Sequence, residues 1–218
     1  MSVINTSLSD FFAESALVLN NAQNHAEISA ALDVFGYDAA TLGEGQALFD
    51  AARALYDAQI KEYGEQHAAT QAFQEAVEAA DKSYATHRSL AKIAFKDDAQ
   101  WQTDLHLNER KPESFNLWYA QARHFYTALL ADTEAQGKLA RFNITNEKLV
   151  AAQAQMEQSF SLNNEQEQEK GEAQEATQTR NAAIEALSEW LGNFKTVARI
   201  ALEDTPQLLE ALYMGVIA

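Results

Sequence analysis

Between Ala39 and Phe95 the chain has no proline, and its apolar residues return every three or four positions. Leu42, Phe49, Tyr56, Tyr63, Phe73, Val77 and Tyr84 lie on one stripe of period 3.5, with alanines between them. That period places them on a single face of an α-helix and predicts one long helix. At 1.5 Å per residue it runs on the order of 85 Å. Leu149, Met156, Ile184, Leu187, Leu191, Phe194 and Ala198 carry the same stripe through a second stretch. There the middle, 163–181, reads NNEQEQEKGEAQEATQTRN and offers only polar residues, alanine and Gly171. It is expected to be the solvated mid-section of a second long helix. Gly64 and Gly171 are the alternative bend points. Neither is accompanied by the punctuation of a turn, and a glycine costs only about 1 kcal/mol inside a helix, so continuity is the reading adopted.

Shorter helices precede and follow these two. Ser7 or Ser9 caps a first helix to about Asn20, with Phe11, Phe12, Ala16 and Leu19 on one face; a second, from about His25 to Phe35, aligns Ile28, Leu32 and Phe35. Phe35-Gly36-Tyr37-Asp38 then reads as a helix stop followed by a helix start. Glycine accepts the left-handed position, the apolar residue after it folds back, and aspartate caps the next helix. Phe142-Asn143-Ile144-Thr145 repeats that logic. Asp97-Asp98 and Asp204-Thr205-Pro206 each announce a short terminal helix, and Asn108-Glu109-Arg110-Lys111-Pro112 is a polar linker. After it, Ser114 starts a helix with Phe115, Trp118, Tyr119, Ala122, Phe125 and Leu129 on a broad aromatic face.

The two long stretches match because the chain repeats itself. Leu139–Met214 lies without a gap on Leu32–Leu107 at a displacement of 107 residues, with 22 of the 76 aligned pairs identical. Gln59, Glu62, Gly64-Glu65 and Ala69-Thr70-Gln71 return as Gln166, Glu169, Gly171-Glu172 and Ala176-Thr177-Gln178. Ungapped identity at helical spacing is the mark of an internal duplication. Residues 1–107 and 108–218 are therefore expected to be two helical repeats, packed together as one compact unit about a pseudo-two-fold axis with the long helices antiparallel. In this arrangement the shared polar middle is the crossing point, where Gly64, Ala69, Gly171 and Ala176 let backbones approach.

Composition narrows the class. Eight glycines and two prolines in 218 residues rich in Ala, Gln, Glu and Leu suit an all-α protein. A formal charge of −16 argues against a nucleic-acid or anionic-membrane partner, since both require clustered Lys and Arg. The absence of cysteine removes disulfides, thiolate catalysis and thiolate-bound zinc. The N-terminal stretch lacks a basic region and a long apolar run, so a cytoplasmic location is expected.

The candidate chemistry is sparse. Glu62, Glu65 and His67, with Glu169 and Glu172 at matching positions, form the one carboxylate–imidazole constellation, of a kind that suits iron, manganese or zinc. The spacing is Glu-x-x-Glu, however, and Gln174 stands opposite His67, so a solvated helix face is the plainer reading. His25, His87, His106 and His124 have no ligand-spaced partners, and His87 lies on the apolar stripe. Trp101, Trp118, Trp190, Phe125 and Tyr126 are candidates to line a ligand pocket, although aromatics at helical spacing ordinarily build core. No phosphate loop, nucleophile elbow or paired nucleophile and base is found in the sequence, and no cofactor is implied.

The run Ala198-Arg199-Ile200-Ala201-Leu202-Glu203-Asp204-Thr205-Pro206-Gln207-Leu208-Leu209-Glu210-Ala211-Leu212, with Gly171-Glu172-Ala173-Gln174 and the Phe142-Asn143-Ile144-Thr145 turn, resembles an uncharacterised bacterial family of all-helical proteins. The resemblance covers mainly the second repeat and implies fold, not activity. The leading expectation is a non-enzymatic helical scaffold or protein-interaction module with a protein partner or a second copy. A small-molecule or metal-binding bundle with carboxylates at the long-helix crossing is the alternative. An acidic mimic of nucleic acid, resting on net charge alone, comes last.

Overall fold

The computed structural model describes residues 7–214 and contains, among them, eight helices and no strand. They are α1 (Leu8–Asn24), α2 (Ala26–Val34), α3 (Ala39–Ala94), α4 (Ala99–Asp104), α5 (Phe115–Ala131), α6 (Thr133–Ala140), α7 (Asn146–Ala201) and α8 (Gln207–Ala211). Both long helices are continuous over 56 residues, so Gly64 and Gly171 break neither. The order of two shorter helices, one long helix and one short helix is met twice.

Local chemistry sets the ends. Ser7 caps α1 by accepting from Asp10 N at 3.2 Å. After α2, Gly36 takes φ +84°, and Tyr37 N reaches back to Leu32 O at 3.1 Å, which satisfies a carbonyl that the helix leaves open. Asn143 takes φ +59° after α6 and Ile144 N reaches Leu139 O at 3.3 Å, so both stop signals act as the sequence predicts. Asp38 and Thr145 then cap the long helices, accepting from Thr41 N at 2.8 Å and Lys148 N at 3.4 Å. Those capping bonds hold the exposed Asp38 carboxyl below its usual range. Asp98 and Asp132 cap α4 and α6 in the same manner.

The chain groups into two compact units, and they cut across the division into 1–107 and 108–218. The first takes the chain up to Tyr63 and from Glu172 onward; the second is Gly64–Gly171. Each long helix thus gives one half to each unit. In the first unit Phe12, Val18, Leu32, Leu42, Leu187 and Phe194 belong to a core that also holds Leu202 and Leu212. In the second, Tyr84, Phe95, Trp118, Phe125, Tyr126 and Leu149 are central.

Within each unit the two long helices run antiparallel. In the first, Arg180 Nη1 donates to Gln59 Oε1 at 2.9 Å. In the second, Gln166 Nε2 donates to Thr70 Oγ1 at 3.2 Å and Ser83 Oγ to Gln155 Oε1 at 2.8 Å.

Several side chains depart from the pattern. Tyr63, on the predicted stripe, is 60 % exposed, and Glu62 takes the half-buried place beside it. On α1, Ala16 is exposed and Ser15 is buried, its hydroxyl satisfied by Phe11 O at 2.7 Å. The polar 163–181 stretch is not wholly solvated, because Gln166 and Ala173 are buried. Gly64 and Gly171 are exposed, and a Cβ added at either meets nothing within 4 Å, so no close backbone approach depends on them. Ala69 and Ala176 are half-buried.

Candidate functional site

The most developed concavity lies in the second unit and measures about 700 Å³. One turn apart on α3, Phe73, Val77 and Asp81 share a face, and Phe115 and Trp118 follow each other on the first turns of α5. The Phe73 and Phe115 rings meet edge to face at 5.0 Å, and Phe115 lies 5.8 Å from Trp118. The floor is therefore aromatic.

Its rim is charged. Lys111 Nζ contacts both oxygens of Asp81, at 2.8 and 2.7 Å, and Trp118 Nε1 donates to Asp81 Oδ1 at 2.9 Å. Arg110 pairs with Glu113 on the same segment, and Glu78 is exposed on the wall. The segment is fixed from below by Arg88, whose Nη2 donates to His106 O at 2.7 Å and Glu109 O at 2.5 Å. A guanidinium satisfies these carbonyls, which have left helical geometry where His106 turns to φ +50°.

Deeper in the same unit lies a polar aromatic group. Tyr126 and His87 meet at 3.1 Å between the hydroxyl and Nδ1. Burial, and secondarily the charge of Lys148, lowers the pKa of His87, and burial raises that of Tyr126. Tyr84, pushed up to about 12 mainly by burial, donates its hydroxyl to Gln121 Oε1 at 3.2 Å. These groups are held neutral.

Of the aromatic candidates, only Trp118 reaches the cleft. Phe125 and Tyr126 are fully buried core, Trp101 stacks on Phe95 at 5.2 Å, and Trp190 stacks on Phe194 at 5.4 Å. The signal missed in the sequence is the neighbourhood of Lys111-Pro112 with Phe115 and Trp118, a charged linker running straight into aromatic residues. Its partner Asp81 is thirty residues away on another helix, beyond the reach of local pattern.

The carboxylate candidates divide between the units. Glu65 and Glu169 belong to the second and bring carboxylate oxygens within 4.8 Å of each other, while the exposed His67 is not part of that grouping. Glu62, half-buried, and Glu172, exposed, belong to the first. His25 and His67 are exposed; His106 and His124 pair with Glu109 at 2.8 Å and Asp104 at 3.4 Å.

Exposed apolar side chains recur at corresponding places. Ile93 and Ile200, in the last turns of α3 and α7, are 56 % and 54 % exposed. Phe35 is 49 % exposed, and its counterpart Phe142 lines one shallow cleft with Ile93, Lys96, Lys138 and Arg141. No helix among the described residues is long and apolar enough to cross a membrane. Comparison with protein-family models, with curated proteins and with solved structures gives no match.

Proposed function

We propose that the protein is a non-enzymatic helical scaffold, built by duplication of a 107-residue repeat, that binds another protein through apolar side chains at the C-terminal ends of its long helices. One observation carries this reading: Ile93 and Ile200, 107 residues apart, are both left more than half exposed. A single exposed isoleucine needs no explanation. The same exposure at equivalent positions, with Phe35 and Phe142 also equivalent, supports a surface kept for contact. The net charge of −16 favours a protein partner over nucleic acid, and a cytoplasmic setting remains part of the proposal. So does kinship with the bacterial all-helical family suggested by 198–212.

The test is crosslinking and affinity purification from the native host with the wild-type chain and with Ile93→Asp plus Ile200→Asp. Both sites are exposed, so the variant keeps its melting temperature. A stoichiometric partner, or a second copy, that is lost with the variant supports the proposal. Retention of the partner by the variant, or its absence from the wild type, overturns it.

A further inference from the structure

We propose that the cleft of the second unit binds a small organic ammonium ion, a primary amine carried on an apolar or aromatic body. The site is distinct from the apolar positions at the long-helix ends, and the inference does not depend on them.

Three observations point to this chemistry. The first is an internal example. The ammonium of Lys111 sits on Asp81 in this cleft, next to the Trp118 indole that shares the same carboxylate. The second is the balance of charge. Three carboxylates, Glu78, Asp81 and Glu113, face two cations, and both cations are engaged, Lys111 with Asp81 and Arg110 with Glu113. Glu78 is the carboxylate left over, on the wall beside Phe73 and Val77. An anion entering the cleft meets no available cation, whereas an ammonium meets Glu78 and the faces of aromatic rings, which attract positive charge. The field of a chain carrying −16 favours the same sign.

The third observation is that the fold does not demand these residues. At the positions displaced by 107, Phe73 is answered by Arg180, Asp81 by Ser188 and Trp118 by Phe11, and the helices around them form nonetheless. Phe73, Asp81 and Trp118 together make a cleft of about 700 Å³ with an aromatic floor and a carboxylate wall, the combination that selects a small molecule by one charge and an apolar body.

The experiment uses the full chain and three probes of nearly equal size: 2-phenylethylamine, 2-phenylethanol and phenylacetate. Calorimetry at pH 7 gives their affinities. The Trp118 indole N–H, identified in a ¹⁵N correlation spectrum by its loss in Trp118→Phe, reports where they bind. The amine is expected to bind about fivefold more tightly than the alcohol, the acid more weakly than either, and the Trp118 signal to move with the amine. Glu78→Gln, at an exposed position, is expected to erase the preference of amine over alcohol while the melting temperature stays unchanged. Equal binding of amine and alcohol to the wild type overturns the proposal. So does a Trp118 resonance that does not respond, a preference that survives Glu78→Gln, or no binding of the amine at millimolar concentration.

Discussion

The indole of Trp190 lies directly over Gly45, so close that a Cβ built on the glycine would sit 2.5 Å from Cζ2 and 2.6 Å from Cζ3. Both residues belong to the first unit, Gly45 on α3 and Trp190 on α7. The positions displaced by 107 carry Ala152 and Ser83, and there Ser83 donates its hydroxyl to Gln155 on α7. A large residue against none on one side replaces two small ones on the other. Interiors pack to near-crystalline density, so such a volume exchange is a condition of both pairs filling their space.

Gly45→Ala tests that exchange. In an open helix the change is favourable by about 1 kcal/mol; here the new methyl group meets aromatic ring atoms, and overpacking costs about 1–3 kcal/mol. The expected net result is a loss of about 1–2 kcal/mol in urea unfolding. Trp190→Leu in the same chain is expected to abolish the clash, so that Gly45→Ala becomes neutral or favourable on that background. If Gly45→Ala stabilises the wild-type chain, the packing described for this pair is wrong.

Gly64→Ala and Gly171→Ala are expected to behave in the opposite way. Both sites are exposed inside continuous helices, and an added Cβ meets nothing within 4 Å. Each substitution is expected to stabilise by about 0.5–1 kcal/mol, through the lost freedom of the unfolded chain. That is a rise of about 2–4 °C per kcal/mol for a chain of this size, read in a thermal melt. A fall in melting temperature would show that the glycines serve a close contact.

Gln59 and Gln166 also differ by 107 residues, and both are buried. Gln59 accepts from Arg180, and Gln166 donates to Thr70, so each ties α3 to α7 inside its own unit. Buried amides are stabilising when bonded and costly when not. A double-mutant cycle on Gln59→Ala and Arg180→Ala is expected to give a coupling energy of about 1 kcal/mol, the mark of a charge-assisted hydrogen bond. Additive effects would mean that the bond contributes nothing.

What the sequence reveals follows the range of the interactions involved. Helix class, the 56-residue continuity and both stop signals at Gly36 and Asn143 depend on neighbours a few positions apart, and all are legible. The Asp81–Lys111 pair and the Gly45–Trp190 contact join residues 30 and more apart. Only the packing of helices discloses them. Gln166 illustrates the limit most directly. Its polar surroundings in sequence indicate solvent, yet a hydrogen bond to Thr70, far along the chain, carries it into the interior. The grouping into units is also hidden, because a stripe of constant period does not show where a long helix passes from one core to the next.

His87 makes stability depend on pH in a direction that its surroundings define. Tyr126, its pKa raised by burial, keeps its proton and donates to Nδ1, and His87 is held neutral by burial and by the charge of Lys148. Because the folded pKa lies below the ordinary 6.5, the unfolded chain takes up a proton first as the pH falls. The contribution is complete above the ordinary histidine range, declines as the pH drops through it, and levels off once the folded side chain is also protonated. His87→Phe, which installs the residue that Phe194 supplies 107 positions later, is expected to remove this component. Urea midpoints at pH 7.5 and 5.5 measure it: the wild type is expected to lose more stability between the two than the variant. Equal losses would show that His87 is protonated in the folded chain as readily as in the unfolded one.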